Sequence, residues 1–350
     1  MTALFRRVVL APAVIVLTAL LLTTVPLWLI IAAVLSPLFP GRLRPLRLLW
    51  LAILHLVLES AMLVELFGLW IASGFGYFIR RPWFERVHYD IVQTYLIIFF
   101  REARRVLRLR IVTEGPAPDA FPGEPLLVAC RHAGPGDSFI LMYALMHWYG
   151  REPRVVLKDT LAWDPAIDVI LNRVPSRFIS PNPKRRTGGA DLAELARNLD
   201  DNDAFVIFPE GGNFTPDRRR RAIEKLRRLG LEAMARRAEN MKNVLAPRPG
   251  GLIAALDAAP DADIVLVAHT GLDHLLTVAD VWRELPMDKQ IIMRWWRVPR
   301  NEIPDGRDDR IDWLFSRWEE IDRWIAEHRP VDLPPRTGRT AGRRAGPRAG

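Results

Sequence analysis

The chain has 350 residues, half of them hydrophobic, and 49 lysines and arginines against 40 aspartates and glutamates, for a formal charge of +9; this allows one well-packed domain with appendages. Five of those charges (Arg336, Arg339, Arg343, Arg344 and Arg348) lie in the acid-free stretch 334–350, so the body is only mildly basic. It suits an anionic membrane surface or a phosphorylated ligand, and no stacking or groove-reading module for specific nucleic-acid recognition is visible. Cys130 is the single cysteine, which excludes an intrachain disulfide and points to a reducing compartment.

Residues 8–41 carry no charge, whereas a bilayer-spanning helix needs only about 20 apolar residues. Arg6 and Arg7 would also open a cleaved signal peptide, but the apolar core there is usually roughly 7–15 residues, much shorter than this one. A second apolar run, 48–79, is interrupted by His55, Glu59 and Glu65 and has Trp50, Trp70 and Trp83 near its ends, as interfacial aromatics do. Residues 1–82 therefore read as an N-terminal membrane anchor. Two full crossings would leave Arg42, Arg44 and Arg47 outside, against the positive-inside tendency. A re-entrant path broken near Thr24-Val25-Pro26 would keep all three basic clusters on the cytoplasmic face.

Residues 83–110 mix apolar positions with Arg101, Arg104, Arg105, Arg108 and Arg110 at helical spacing, the pattern of an interfacial connector or of a solvated basic face. After a turn-rich segment come short apolar runs at 126–130, 204–208 and 263–268, separated by charged, helix-compatible stretches. That alternation predicts an α/β domain over 83–330. Residues 218–242 read as one long polar helix and 310–328 as a terminal amphipathic one. The basic tail 331–350 has almost nothing to bury and is expected to be disordered.

Two segments carry chemistry. In the first, Cys130-Arg131-His132-Ala133-Gly134-Pro135-Gly136-Asp137, a continuous helix would hold His132 and Asp137 roughly 140° apart at about 100° per residue. Gly134-Pro135-Gly136 favours a tight turn instead, which can return the carboxylate to the imidazole. Such an Asp fixes the tautomer and leaves the other ring nitrogen to take a hydroxyl proton. Taken alone, the same residues read equally as a helix-capping Asp beside an incidental His. In the second, Phe208-Pro209-Glu210-Gly211-Gly212-Asn213 is followed by Arg218, Arg219, Arg220 and Arg221. The glycines let backbone N–H groups approach an anion, or they form a plain strand-to-helix turn. Cys130 reads as a buried strand cysteine rather than a nucleophile. His269 and His274 lack ligand-like spacing, so no metal is expected.

His132-x4-Asp137 followed by Phe208-Pro209-Glu210-Gly211 resembles the blocks of the glycerolipid acyltransferase family. Lys158, Leu161 and Pro165 with Arg177-Phe178-Ile179 resemble its second block, and "NVLAPRPGGL" with "DIVLVAHTGL" its fourth. The spelling is most similar to the longer lysophospholipid and lysocardiolipin acyltransferase-like members, and the likeness covers about residues 125 to 327. It implies a mixed sheet flanked by helices. It also implies acyl transfer from an acyl-CoA or acyl carrier protein thioester to a lysophospholipid hydroxyl, first of all 1-acylglycerol-3-phosphate, with no further cofactor. His132 would be the general base and Asp137 its orienter. Backbone N–H groups near Gly134 or Gly211 would hold the oxyanion, and Glu210, Gly211 and Gly212 would place the acceptor. The chain departs from the pattern at Gly212 and Asn213, where the family has Thr and then Arg or Asp, and at Pro181, where it has Arg. The acceptor phosphate would then meet Arg177, Lys184, Arg185 or Arg186. Other lysophospholipids such as lysocardiolipin, a transacylase of the same family, and a non-catalytic membrane lipid-binding protein are the alternatives.

Overall fold

The computed structural model describes residues 3–39, 43–115, 123–134, 136–179, 189–273, 278–285 and 287–330; Lys184, Arg185, Arg186 and the tail 331–350 lie outside them. Two long helices, α1 (Ala3–Leu38) and α2 (Arg44–Ala72), come first. They run antiparallel, with the Ser60 hydroxyl donating to Thr18 Oγ1 at 2.8 Å and Thr18 in turn to Val14 O. Both are long and apolar enough to cross a membrane, and only 6% and 22% of their most apolar windows are covered by the rest of the protein. A soluble core helix would be mostly covered.

Pro26 lies inside continuous α-helix, so the expected break at Thr24-Val25-Pro26 does not occur. A proline removes one backbone donor, and threonine hydroxyls can take up slack in such a helix. Thr23 donates to Leu20 O, and Thr24 donates to the carbonyls of Leu20 and Leu21. The chain reverses later, between the two helices. The second helix stops at Ala72, short of the apolar run's end, where Gly74, Phe75 and Gly76 take positive φ.

Helix α3 (Pro82–Leu107) buries His88, Tyr89, Phe100, Ala103 and Val106 and ends at Arg108 in left-handed conformation. Seven strands among the described residues then form one sheet: β1 (Arg110–Glu114), β2 (Leu126–Cys130), β3 (Glu152–Lys158), β4 (Ser176–Ile179), β5 (Asp203–Ile207), β6 (Asp263–Thr270) and β7 (Gln290–Val298). Their order is β1-β7-β6-β2-β5-β3-β4. Every pairing is parallel except β6 with β7, so five strands bring their C-terminal ends to one side. The three apolar runs are the central strands β6, β2 and β5. The other four hide from a hydrophobicity reading because Arg110, Glu114, Arg154, Arg294 and Arg297 interrupt them or because, as in β4, they are short.

Register sorts the core by parity. Leu127 and Ala129 share a face with Phe205, Ile207, Ile264, Leu266 and Ala268. Helices α7 (Pro216–Arg228), α8 (Glu232–Asn240), α9 (Pro249–Ala258) and α11 (Arg307–His328) cover that face. Leu126, Val128 and Cys130 share the other face with Val206, Val265 and Val267, beneath α3 and α4 (Asp137–Tyr143). The long helix expected over 218–242 is two helices. Gly230 at φ 72 takes the left-handed position, and Leu231 N donates back to Leu226 O, a Schellman-type stop.

The helical hairpin is tied to the domain at both ends. Arg6 Nη2 and Arg7 Nε reach the two oxygens of Asp168 at 2.6 and 2.8 Å. Asp168 is fully buried in α5 (Pro165–Leu171), the helix that follows β3. Arg44 donates to Leu285 O and Arg283 O, both at 2.6 Å, just ahead of β7. The end of β3 and the start of β7 both lie at the C-terminal end of the central strands, so the hairpin runs across that end of the sheet. Replacing Arg6 and Arg7 together by alanine would strand the Asp168 charge, and a loss of about 3–5 kcal/mol is expected. Unfolding of the detergent-solubilised protein by denaturant would measure it.

Candidate active site

In open α/β sheets, ligands gather at the carboxyl ends of the strands where connections diverge. Here the chain leaves β2 for β3 on one side and leaves β5 for β6 on the other. His132 follows β2, Glu210 follows β5, and His269 closes β6.

The glycine turn after His132 does return the carboxylate. Asp137 opens α4, its Oδ2 lies 3.4 Å from His132 Nδ1, and the Gly134 N–H also donates to that oxygen. His269 Nε2 lies 3.5 Å from the same oxygen, so the Gly134 N–H makes the close contact and the two imidazoles stand farther off. Burial pushes the Asp137 carboxyl up, but the His269 charge, the His132 hydrogen bond and the Gly134 N–H together hold it below the ordinary carboxylate range. The His132 ring packs against Phe208 at 4.7 Å between centroids, and Phe214 N donates to His132 O at 2.7 Å. With Nδ1 turned to Asp137, Nε2 is the nitrogen left for a substrate proton.

Glu210 has a different role from the one expected. It is 1% exposed, and its two oxygens accept from His132 N at 3.0 Å and from Leu245 N at 2.9 Å. Both lone-pair directions are turned inward, so it acts on an acceptor only through the loops it fastens. Burial raises its carboxyl to about 7 against the pull of Arg131 and the two N–H groups. The Gly134 and Gly211 N–H groups are likewise engaged, with Asp137 Oδ2 and with Phe208 O, so neither is open to an oxyanion.

Gly211 sits at φ 67, and a Cβ there would come within 2.7 Å of Arg248 Nη1. The Arg248 guanidinium therefore lies over the glycine turn, while Arg248 N donates to Pro209 O at 2.8 Å. Gly212 is next to Arg218, which donates to Asn213 O at 3.0 Å. Lys158, at the end of β3, has its ammonium pushed down by burial and then by the Arg218 charge. Arg248 and Arg218 thus flank the Gly211-Gly212 turn, and Lys158 is close enough to Arg218 to feel its charge. Arg177 is elsewhere: it lies on edge strand β4, paired with Glu194 at 3.1 Å, three strands or roughly 14 Å across the sheet from β2 at 4.8 Å per strand. Cys130 is fully buried, and burial, then the Asp137 and Glu210 charges, pushes its thiol well up, so it is no nucleophile.

Four residues of the site were not legible as such. Arg131 is 1% exposed; it donates to His269 O at 2.6 Å and Asn243 O at 2.9 Å and pairs with Asp273. An arginine directly after a buried apolar strand was the available signal. Arg248 and His269 lie within the two segments that resemble the family's fourth block, but nothing in them marked either residue as part of the site, and Asp273 carried no signal.

The cluster at the end of the central strand therefore consists of a histidine, a carboxylate oxygen facing its Nδ1 and a glycine turn flanked by two arginines. A family model described as Acyltransferase matches residues 93–269, just over half of the chain. The chain therefore belongs to the acyltransferase family that its motifs resemble. Lysocardiolipin acyltransferase 1 of Mus musculus is 23% identical over 255 residues, covering 69% of this chain and 64% of its own. An uncharacterized acyltransferase of Schizosaccharomyces pombe is 24% identical over 183 residues, 49% and 50% of the two chains. Lysocardiolipin acyltransferase 1 of Danio rerio is 23% identical over 240 residues, 67% and 59% of the two chains. The chain thus spans between half and two thirds of these relatives. The crystal structure of the 1-acyl-sn-glycerophosphate acyltransferase PlsC from Thermotoga maritima aligns with 78% of this chain and 95% of its own at a TM-score of 0.47 and 16% identity, a loose likeness.

A carboxyl that titrates near 7 when folded, against 4.5 ordinarily, contributes stability that is full below about pH 4.5 and lost as pH rises through about 7. The unfolding temperature should therefore fall between pH 5 and 8, and Glu210→Gln should flatten that slope while lowering stability overall.

Proposed function

We propose that the protein is a membrane-bound O-acyltransferase that moves a fatty acyl group from an acyl-CoA or acyl carrier protein thioester to a lysophospholipid hydroxyl, 1-acylglycerol-3-phosphate being the first candidate. The observation that carries this reading is the His132–Asp137 pair at the end of the central strand, with the Gly211-Gly212 turn flanked by Arg218 and Arg248 after the neighbouring strand and Lys158 near Arg218. His132 Nε2 takes the acceptor's hydroxyl proton, and the oxygen attacks the thioester carbonyl. Collapse of the tetrahedral intermediate expels the thiolate, which recovers the proton from the imidazolium. General-base assistance of this kind is worth on the order of 10²–10⁴-fold in rate. Purified protein with labelled acyl-CoA and a panel of lyso-lipids tests the reading, and His132→Ala should lose at least that factor. Wild-type turnover in this variant would rule the base out.

The acceptor phosphate is assigned to the cations at the turn. Arg248→Ala should raise the acceptor KM roughly tenfold or more while kcat changes little, as expected for a lost charged hydrogen bond. A second reading, lysocardiolipin or another lysophospholipid as acceptor, is favoured by the names of two relatives and by Gly212 and Asn213 in place of the family's residues. The ranking of acceptors in the same panel decides between them.

The tethers support one membrane arrangement. Arg6, Arg7, Arg44 and Arg47 all bond to the domain or its connector helix, which supports a hairpin embedded from one side with the domain on the cytoplasmic face. Cysteine introduced at Gly41 should stay unlabelled by an impermeant maleimide in intact cells and become labelled after permeabilisation. Labelling in intact cells would mean two full crossings.

A further inference from the structure

Along β6, Val265 and Val267 point into the apolar layer under α3 and α4, and His269 is the next residue of that row. An imidazole there is 7% exposed, and burying a polar group in such a row is costly unless it is bonded. Its Nε2 lies 3.3 Å from Arg131 O and 3.5 Å from Asp137 Oδ2. A carbonyl and a carboxylate only accept, so Nε2 carries the proton.

The backbone that presents His269 is fixed. Arg131 Nη1 holds His269 O at 2.6 Å. Two residues on, Gly271 at φ 123 presses against β7, and a Cβ there would lie 2.1 Å from Gln290 O. Asp273 accepts from Thr270 Oγ1 and Gly271 N at 2.7 and 2.9 Å and pairs with Arg131. These contacts fix the backbone from which the imidazole projects.

We propose that His269 is a positioning residue for acyl transfer: its Nε2–H clamps the Asp137 oxygen that faces His132, so that the working unit is His132–Asp137–His269. This rests on the acyl-transfer reading above. Asp137 faces Cys130, Arg131 and His132 from the end of β2, Glu210 from β5 and His269 from β6, while Asp273 from the turn after β6 faces Arg131 and His269. Three acids, Asp137, Glu210 and Asp273, share Arg131. The second imidazole keeps Asp137 an acceptor in that company and stops it from turning toward Arg131.

The test compares His269→Leu, which continues the apolar row, with His269→Gln, whose amide N–H can replace the donor. Outer partners that orient a functional group are typically worth about 10- to 100-fold in activity. His269→Leu should lower kcat by that factor with both KM values little changed, and should move the acid limb of the kcat profile to higher pH. His269→Gln should recover most of the rate and return the limb. The pH dependence of His132 modification by diethyl pyrocarbonate should shift upward in His269→Leu and return in His269→Gln. That readout stands even if the wild type transfers no acyl group, which would defeat the acyl-transfer reading alone. Wild-type kcat and pH profile in His269→Leu, whatever its melting temperature, would overturn the proposal. So would a folded His269→Gln as impaired as His269→Leu.

Discussion

Arg131 carries a full positive charge at the end of the central strand with almost no access to water, and the rest of the site is arranged to tolerate it. Removing such an ion from solvent costs several kcal/mol unless charges and hydrogen bonds surround it. Here they come from different parts of the chain: the Asp273 carboxylate from the turn after β6, the His269 carbonyl from β6 itself, the Asn243 carbonyl from the loop after α8, and the charges of Glu210 and Asp137 from the loops after β5 and β2. Satisfying one guanidinium therefore fixes the loops that hold His132, Asp137 and the glycine turn. The cluster has three acids to one arginine; burial above all raises Glu210 to about 7, with the Asp137 charge adding to it, while Asp137, facing His269, His132 and the Gly134 N–H, stays low.

The central three strands and the His–Asp turn could be read from sequence because their signals are local: an unbroken apolar run, or two glycines and a proline between two functional side chains. The edge strands could not. β7 alternates buried Ile291, Met293 and Trp295 with Arg294 and Arg297, and a half-buried strand looks polar to any window average. Glu210 was legible as important but not in its role, since only the fold shows both its oxygens taken by backbone N–H groups. His269 was weighed only as a metal ligand and Arg248 only as part of the fourth-block segment, because their place in the site lies in what faces them across the strand ends, and no spacing rule connects residues that far apart.

The position of the hairpin relates the site to its surroundings. The strands that deliver His132, Glu210 and His269 end on the side across which α1 and α2 run. Lys158, Arg218 and Arg248 are there too, so apolar and cationic surfaces meet at one end of the sheet. A substrate with a hydrocarbon tail and an anionic head would find both parts served without leaving that face.

The Arg6 and Arg7 clamp on Asp168 joins residues 162 and 161 positions apart, and this has a consequence for biosynthesis. At about 5–20 residues per second, the two arginines wait on the order of ten to thirty seconds before their partner leaves the ribosome. During that interval the hairpin has no domain to lean on, so the bilayer or a chaperone is its first partner. The seat of α5 can be completed only afterwards. The hairpin is thus made before its seat exists, and a variant that slows its docking would leave Asp168 unguarded.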